Sequence, residues 1–178
     1  MAILTATHRY RRDDLDLQLA VEKFLSDLAL SCNVGGEVQD LFSNSSIVLR
    51  RTRNLNLLTN KKLLISFDLK TNNKIDARFD PINLDLWFAI KPDLYVSRDK
   101  NNEVLKKVKK WVDSTIRSNQ NRGHTVTILT STQYIINLRT NELNEDILID
   151  DYIDSSKSTE TMYPTLFLSY TLNLTKKF

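Results

Sequence analysis

The first regular pattern along the chain has a period near 3.6. In "DDLDLQLAVEKFLSDLALSC", Leu17, Ala20, Val21, Phe24, Leu25 and Leu28 recur on one side, while Asp16, Lys23, Ser26 and Asp27 lie away from them. That spacing predicts a core-facing helix of about 18 residues. Asp13 or Asp14 is placed to cap it, and Asp16 adds negative charge to a first turn whose amide N–H groups lack partners. Gly35 and Gly36 are expected to end it or to form a turn, and Val38 to Phe42 fits one further helical turn.

From residue 47 to residue 96 the period falls to two. "IVLRRTR" reads as a strand, and the Asn-rich "NLNLLTN" as a connection. In "KKLLISFDLK", Leu63, Ile65, Phe67 and Leu69 alternate against Leu64, Ser66, Asp68 and Lys70, which predicts a strand wetted on one face. "KIDARFD" repeats the alternation after "TNN", so the two segments predict a hairpin. "LDLWFAI" supplies Leu84, Leu86, Phe88 and Ile90 to one face, and "DLYVS" is expected to continue as strand beyond the interruption at Pro92.

Residues 102–117, "NEVLKKVKKWVDSTIR", return to the helical period. Val104, Leu105, Val108, Trp111, Val112 and Ile116 share an apolar sector. Lys106, Lys109, Lys110 and Arg117 lie opposite, with Lys107 at the edge and Asp113 in their midst. Trp111 is thereby assigned to the core-facing stripe rather than to base stacking. "HTVTILT" and "QYIINLR" predict a second hairpin, the acidic "NELNEDILIDDYIDSS" a third helix, and "TLFLSYTLNL" a C-terminal strand. The grouping of strands, without regular β-α alternation, points to a single α+β domain over residues 1–178. Its expected form is an antiparallel or mixed sheet of about six to eight strands, with two or three helices packed mainly on one face.

Composition removes several classes of function. The chain has 3 glycines in 178 residues, where average usage gives about twelve. Neither a phosphate-cradling P-loop nor a dinucleotide fingerprint is present. Cys32 is the only cysteine, which excludes an intrachain disulfide and a multi-cysteine zinc site, and it reads as a buried thiol. With two histidines, His8 and His124, no histidine-rich metal centre is expected, and no cofactor is implied. The opening "MAILTATHRYRRDD" lacks the apolar segment of a signal peptide, and no apolar run is long enough for a membrane helix. An intracellular location, cytoplasmic or nuclear, is the expectation.

Charge is unevenly distributed. Net charge is +3, but residues 1–122 carry 21 basic and 15 acidic side chains, against 4 and 7 in residues 123–178. Lys106, Lys109, Lys110 and Arg117 form the leading candidate surface for a phosphate backbone, aided by Arg50, Arg51 and Arg53. Lys61 and Lys62, and Arg9, Arg11 and Arg12, are further basic groups that would strengthen the footprint if they converged on it. Against this, lysine is a good helix former, and every amphipathic helix needs a wet side. Trp87, between Asp85 and Ala89, is a candidate stacking platform, although a place beneath a helix fits its size better.

The expected function is therefore non-enzymatic binding of a nucleic-acid backbone, RNA ahead of DNA. The alternative is a self-assembling or partner-binding structural protein, a make-up that also suits a viral accessory protein. A metal-dependent nuclease ranks third. It rests on Asp68 and Lys70 in "FDLK", an acidic-x-Lys arrangement, with Asp76, Asp80 and Glu22 as auxiliary carboxylates. Residues 41–67 contain no acidic side chain to serve as an upstream ligand.

Overall fold

Alternating strands have one dry side that must be covered, and amphipathic helices are the complementary surface. The computed structural model describes residues 15–50, 57–71, 82–119, 122–128, 132–140, 148–152 and 162–177. The helices are α1 (Leu15–Ser31), α2 (Gly36–Ser43), the single turn α3 (Leu57–Asn60) and α4 (Arg98–Ser118). The strands are β1 (Ser45–Leu49), β2 (Leu63–Thr71), β3 (Ile82–Ile90), β4 (His124–Ile128), β5 (Thr132–Thr140), β6 (Leu148–Tyr152) and β7 (Met162–Lys177).

They form one seven-stranded sheet in the order β1-β2-β3-β7-β5-β4, with β6 also paired to β7. β1 runs parallel to β2, and every other pairing is antiparallel. The fold is α+β, with a mixed sheet whose one face carries α1, α2 and α4. Leu17, Val21 and Leu25 of α1, Leu41 of α2, and Val104, Val108 and Val112 of α4 share a core with Phe67, Phe88, Tyr170 and Leu172. Residues of opposite parity, Leu64 and Ala89, lie on the other face, where Leu58 of α3 packs on them.

Local chemistry sets the helix ends. Gly35 and Gly36 have φ of 73° and 63°, the left-handed region in which a side chain is costly, and they lead the chain into α2, with Gly35 at its N-cap. Ser97 caps α4, its Oγ accepting from the backbone N–H of Lys100 at 3.1 Å. The buried Asn101 then donates through Nδ2 to the carbonyl of Pro92 at 2.8 Å, tying the first turn of α4 to the preceding loop.

Three expectations change. Within "NELNEDILIDDYIDSS", Leu148–Tyr152 is strand β6, paired antiparallel to the first residues of β7. Leu, Ile and Tyr tolerate extended backbone, and an unpaired edge of β7 outweighs the weak helical preference of this acidic segment. "DLYVS" forms bends and turns rather than a strand. In "IVLRRTR" the strand ends at Leu49 and Arg50 has left it, and residues 51–53 lie outside the described residues. "KIDARFD" lies outside the described residues, as do Arg9, Arg11, Arg12, Arg51, Arg53, Asp76 and Asp80.

One polar contact fastens α4 to the centre of the sheet. The fully buried Tyr170 of β7 donates its hydroxyl to Asp113 Oδ1 at 2.5 Å. Burial, then the hydrogen bond and charge of Asp113, push the tyrosine hydroxyl far above its ordinary pKa, so it remains a donor throughout the working range. Tyr170→Phe removes a hydrogen bond to a charged acceptor and is expected to cost about 1.5–3 kcal/mol, read from the urea midpoint at unchanged m value.

Candidate functional site

The outer face of α4 divides into two electrostatic halves. Toward its start, Lys100 Nζ lies 3.1 Å from Glu37 Oε1 and 3.3 Å from Glu103 Oε1. Lys107 Nζ lies 3.1 Å from Glu103 and 3.9 Å from Glu37. Two lysines and two glutamates thus neutralise each other. Its own backbone N–H and the bond from Lys100 hold Glu37 below the ordinary carboxylate value, the bonds from Lys107 and Lys100 do the same for Glu103, and Lys100 is raised by its two acceptors.

On the adjoining side of the helix, Lys106, Lys110 and Arg117 are exposed and have no acidic partner within ion-pair distance among the described residues. At 100° per residue they fall within a narrow angular sector, flanked by Lys109, and the stripe is about 16 Å long. Asp113 lies in the same sector, but its Oδ1 is taken by Tyr170.

Of the expected arginine support, Arg50 is divided from this stripe by the sheet, and Arg51 and Arg53 lie outside the described residues. Ile47 and Leu49 pack into the helix-side core, so Arg50 belongs to the opposite face. Its guanidinium stacks 3.7 Å above the Trp87 ring, and Phe167 lies 5.1 Å from that ring on the neighbouring strand. Trp87 is 8% exposed. It is therefore not an open stacking platform, and among the described residues the group over its ring is the Arg50 guanidinium. Lys62 is also engaged, at 2.6 Å from Asp40.

The acidic-x-Lys pair lies on that second face too, and register gives it a carboxylate the local sequence did not reveal. Asp68 of β2 stands directly opposite Asp85 of β3, which in turn faces Ser169 of β7. Lys70 Nζ reaches Asp85 Oδ2 at 2.9 Å, and Ser169 Oγ donates to Asp85 Oδ1 at 2.8 Å. The lysine is therefore committed to a buried carboxylate. Glu22 belongs to α1 on the helix-covered face, across the sheet from Asp68. No group of three or more metal-ligating side chains occurs among the described residues.

A separate cavity of about 140 Å³ lies where α1 and the end of α4 meet β4 and β5. Phe24, Leu28, Ile116 and Leu138 make its apolar lining, and Asp27, Ser31, Asn119 and His124 its polar part. His124 Nε2 is 3.1 Å from Asp27 Oδ2, with the Phe24 ring edge-on to the imidazole at 5.3 Å. Ser31 Oγ donates to the carbonyl of Leu28 at 2.8 Å. Cys32 is buried nearby in the sequence, and that burial raises its thiol pKa, as befits a structural cysteine.

A second concavity adjoins the basic stripe. Val34, Gly35, Gly36, Glu37 and Val38 face Lys107, Lys110, Trp111 and Ser114 across an open groove of about 460 Å³. Trp111 packs against the core but is only half-buried, because it lies at the margin of the apolar sector of α4. Phe42 of α2 backs its ring at 4.7 Å. No helix among the described residues is long and apolar enough to cross a membrane.

Two stability effects follow from these pairs. Burial pushes the Asp27 carboxyl up, but the hydrogen bonds and charges of Lys23 and His124 outweigh it and hold its pKa below 3.8. A depressed folded-state pKa gives stability that is present above the unfolded value and lost as pH falls through the folded one. Asp27→Asn is therefore expected to melt below wild type at pH 7, with the gap closing as the pH is lowered beneath about 4, measured by thermal scans across pH. Lys70→Met strands the Asp85 carboxylate and is expected to cost about 1–2 kcal/mol in urea unfolding, less than for a fully buried pair because Lys70 is half in solvent. Comparison with protein-family models, curated proteins and solved structures finds no match to this chain.

Proposed function

We propose that the protein binds the phosphate backbone of a nucleic acid through the outer face of α4, without base readout by that face and without catalysis. The observation that carries this reading is the division of charge on α4. Glu37 and Glu103 answer Lys100 and Lys107, whereas Lys106, Lys110 and Arg117 are exposed and form no ion pair among the described residues, the one carboxylate in their sector, Asp113, being hydrogen-bonded by Tyr170. Lys109 flanks them and adds to the same field.

A regular α-helix fixes the spacing of these cations. Lys106 and Lys110 are one turn apart, and Arg117 lies two turns farther on the same side. Long aliphatic stems then let the charged ends adjust to phosphate positions, which suits recognition of a backbone rather than of one sequence. Arg50 is omitted from this surface because it lies across the sheet, over Trp87. An intracellular protein meeting nucleic acid in the cytoplasm or nucleus is the setting this reading calls for.

With three phosphates neutralised by Lys106, Lys110 and Arg117, log K against log salt is expected to fall with a slope of about −2 to −3. Replacement of Lys106, Lys109, Lys110 and Arg117 by glutamine is expected to flatten that slope toward zero and to weaken binding at least tenfold at low salt. An unchanged slope in this variant would remove the surface from the proposal. Glu103→Gln removes the short ion pair of Lys107 and leaves Lys100 with Glu37, so it is expected to tighten binding and steepen the slope modestly in the same titration.

A further inference from the structure

The groove beside the basic stripe has features that phosphate contacts alone do not use. Val34 is apolar yet 53% exposed, on a turn held by two left-handed glycines. Across from it, Trp111 is half-buried, and Phe42 supports its ring from the α2 side. A tryptophan held by a neighbouring ring loses little further freedom on stacking, which makes it a prepared surface for a flat ligand. The volume, about 460 Å³, lies within the range of small-molecule sites and exceeds what one water or ion needs.

Charge selects the kind of flat ligand. Lys110 belongs both to the groove wall and to the stripe, and Lys107 stands one helical step away. Glu37 also lines the groove, but Lys100 and Lys107 balance its charge. An aromatic group that enters here while carrying a phosphate places that phosphate beside Lys110, in line with Lys106 and Arg117 on the outer face of α4.

We propose that the groove takes an unpaired nucleobase against Trp111 while the adjoining phosphates lie along the stripe, so that the ligand is single-stranded nucleic acid. This deepens the backbone-binding reading and rests on it. In a duplex the bases are stacked and paired, and none is free to enter; a single strand can turn one out at little cost. Stacking of this kind tolerates any base, because each has a π-face. The same tryptophan thus serves the core with one part of its ring and the groove with another.

The experiment compares a short unstructured RNA oligonucleotide with the duplex of the same sequence, following affinity and tryptophan fluorescence at several salt concentrations. The single strand is expected to bind more tightly and to quench fluorescence, and the quench is expected to vanish in Trp111→Phe, whose retained ring preserves most of the affinity. Trp111→Leu is expected to weaken single-strand binding by roughly 5- to 100-fold and to leave duplex binding and its salt slope unchanged. Val34→Glu tests the groove from its exposed wall, away from the core, and is expected to penalise the single strand more than the duplex. Equal affinity for both ligands with no Trp111 quench, or equal losses for both in Trp111→Leu and Val34→Glu, would overturn the groove while leaving the stripe in place. Binding of neither ligand would overturn the backbone reading itself, and the groove with it.

Discussion

Strand β7 is the constraint on which the other elements depend. Over residues 165–172 it pairs with β3 along one edge; along the other it pairs with β6 at 162–166 and with β5 at 170–177. Leu166, Leu168, Tyr170, Leu172 and Leu174 all point into the helix-side core. A slip of one residue would turn all five outward and present the polar set to the helices, so burial fixes the register strongly. Pro164 falls just before the β3 ladder begins at Thr165, which keeps its missing N–H out of that ladder. β6 and β5 thus share one edge end to end, and a chain distant in sequence is brought under the same roof of helices.

The placement of the candidate surface follows from that register. Tyr170 emerges from β7 at the point where its hydroxyl meets Asp113, while Val104, Val108, Val112 and Ile116 bury the rest of α4 against the sheet. Once this rotation of the helix is set, Lys106, Lys110 and Arg117 have no choice but solvent. α2 then leans on the flank of α4 through Phe42 and Trp111, and the glycine turn that starts α2 leaves a groove between them instead of a closed seam.

Periodicity made α1, α4, β2, β3 and most of β7 legible, because each is long and carries a clean apolar face. It failed where pairing decided the outcome. Residues 148–152 read as part of an acidic helix and become a strand only through the free edge of β7. Asp68 and Asp85 are unrelated in local sequence and meet through hairpin register, and Asp27 reaches His124 across 97 residues. Arg50 looked like an ally of the lysine stripe because linear sequence does not tell the two faces of a sheet apart when the strand's neighbours are unknown. Trp111 was assigned to the core, which its packing supports, but its position at the margin of the apolar sector also leaves part of it open.

Not every cation on α4 needs a ligand to account for it. Arg117 lies in the last turn, where exposed carbonyls make a positive charge favourable in the absence of any partner. Lys100 and Lys107 hold Glu37 and Glu103, and in doing so link α2 to α4. Lys106 and Lys110 lie in mid-helix, remote from both ends, with no acidic partner among the described residues. Helix propensity explains a lysine at either position, but glutamate or glutamine would serve propensity equally well, and glutamate would lower the repulsion among neighbouring cations. Two like charges one turn apart carry a small unfavourable energy in the isolated helix. A polyanion laid along the stripe reverses the sign of that energy, and for that reason Lys106 and Lys110, rather than the better-paired cations around them, are the residues on which the binding surface turns.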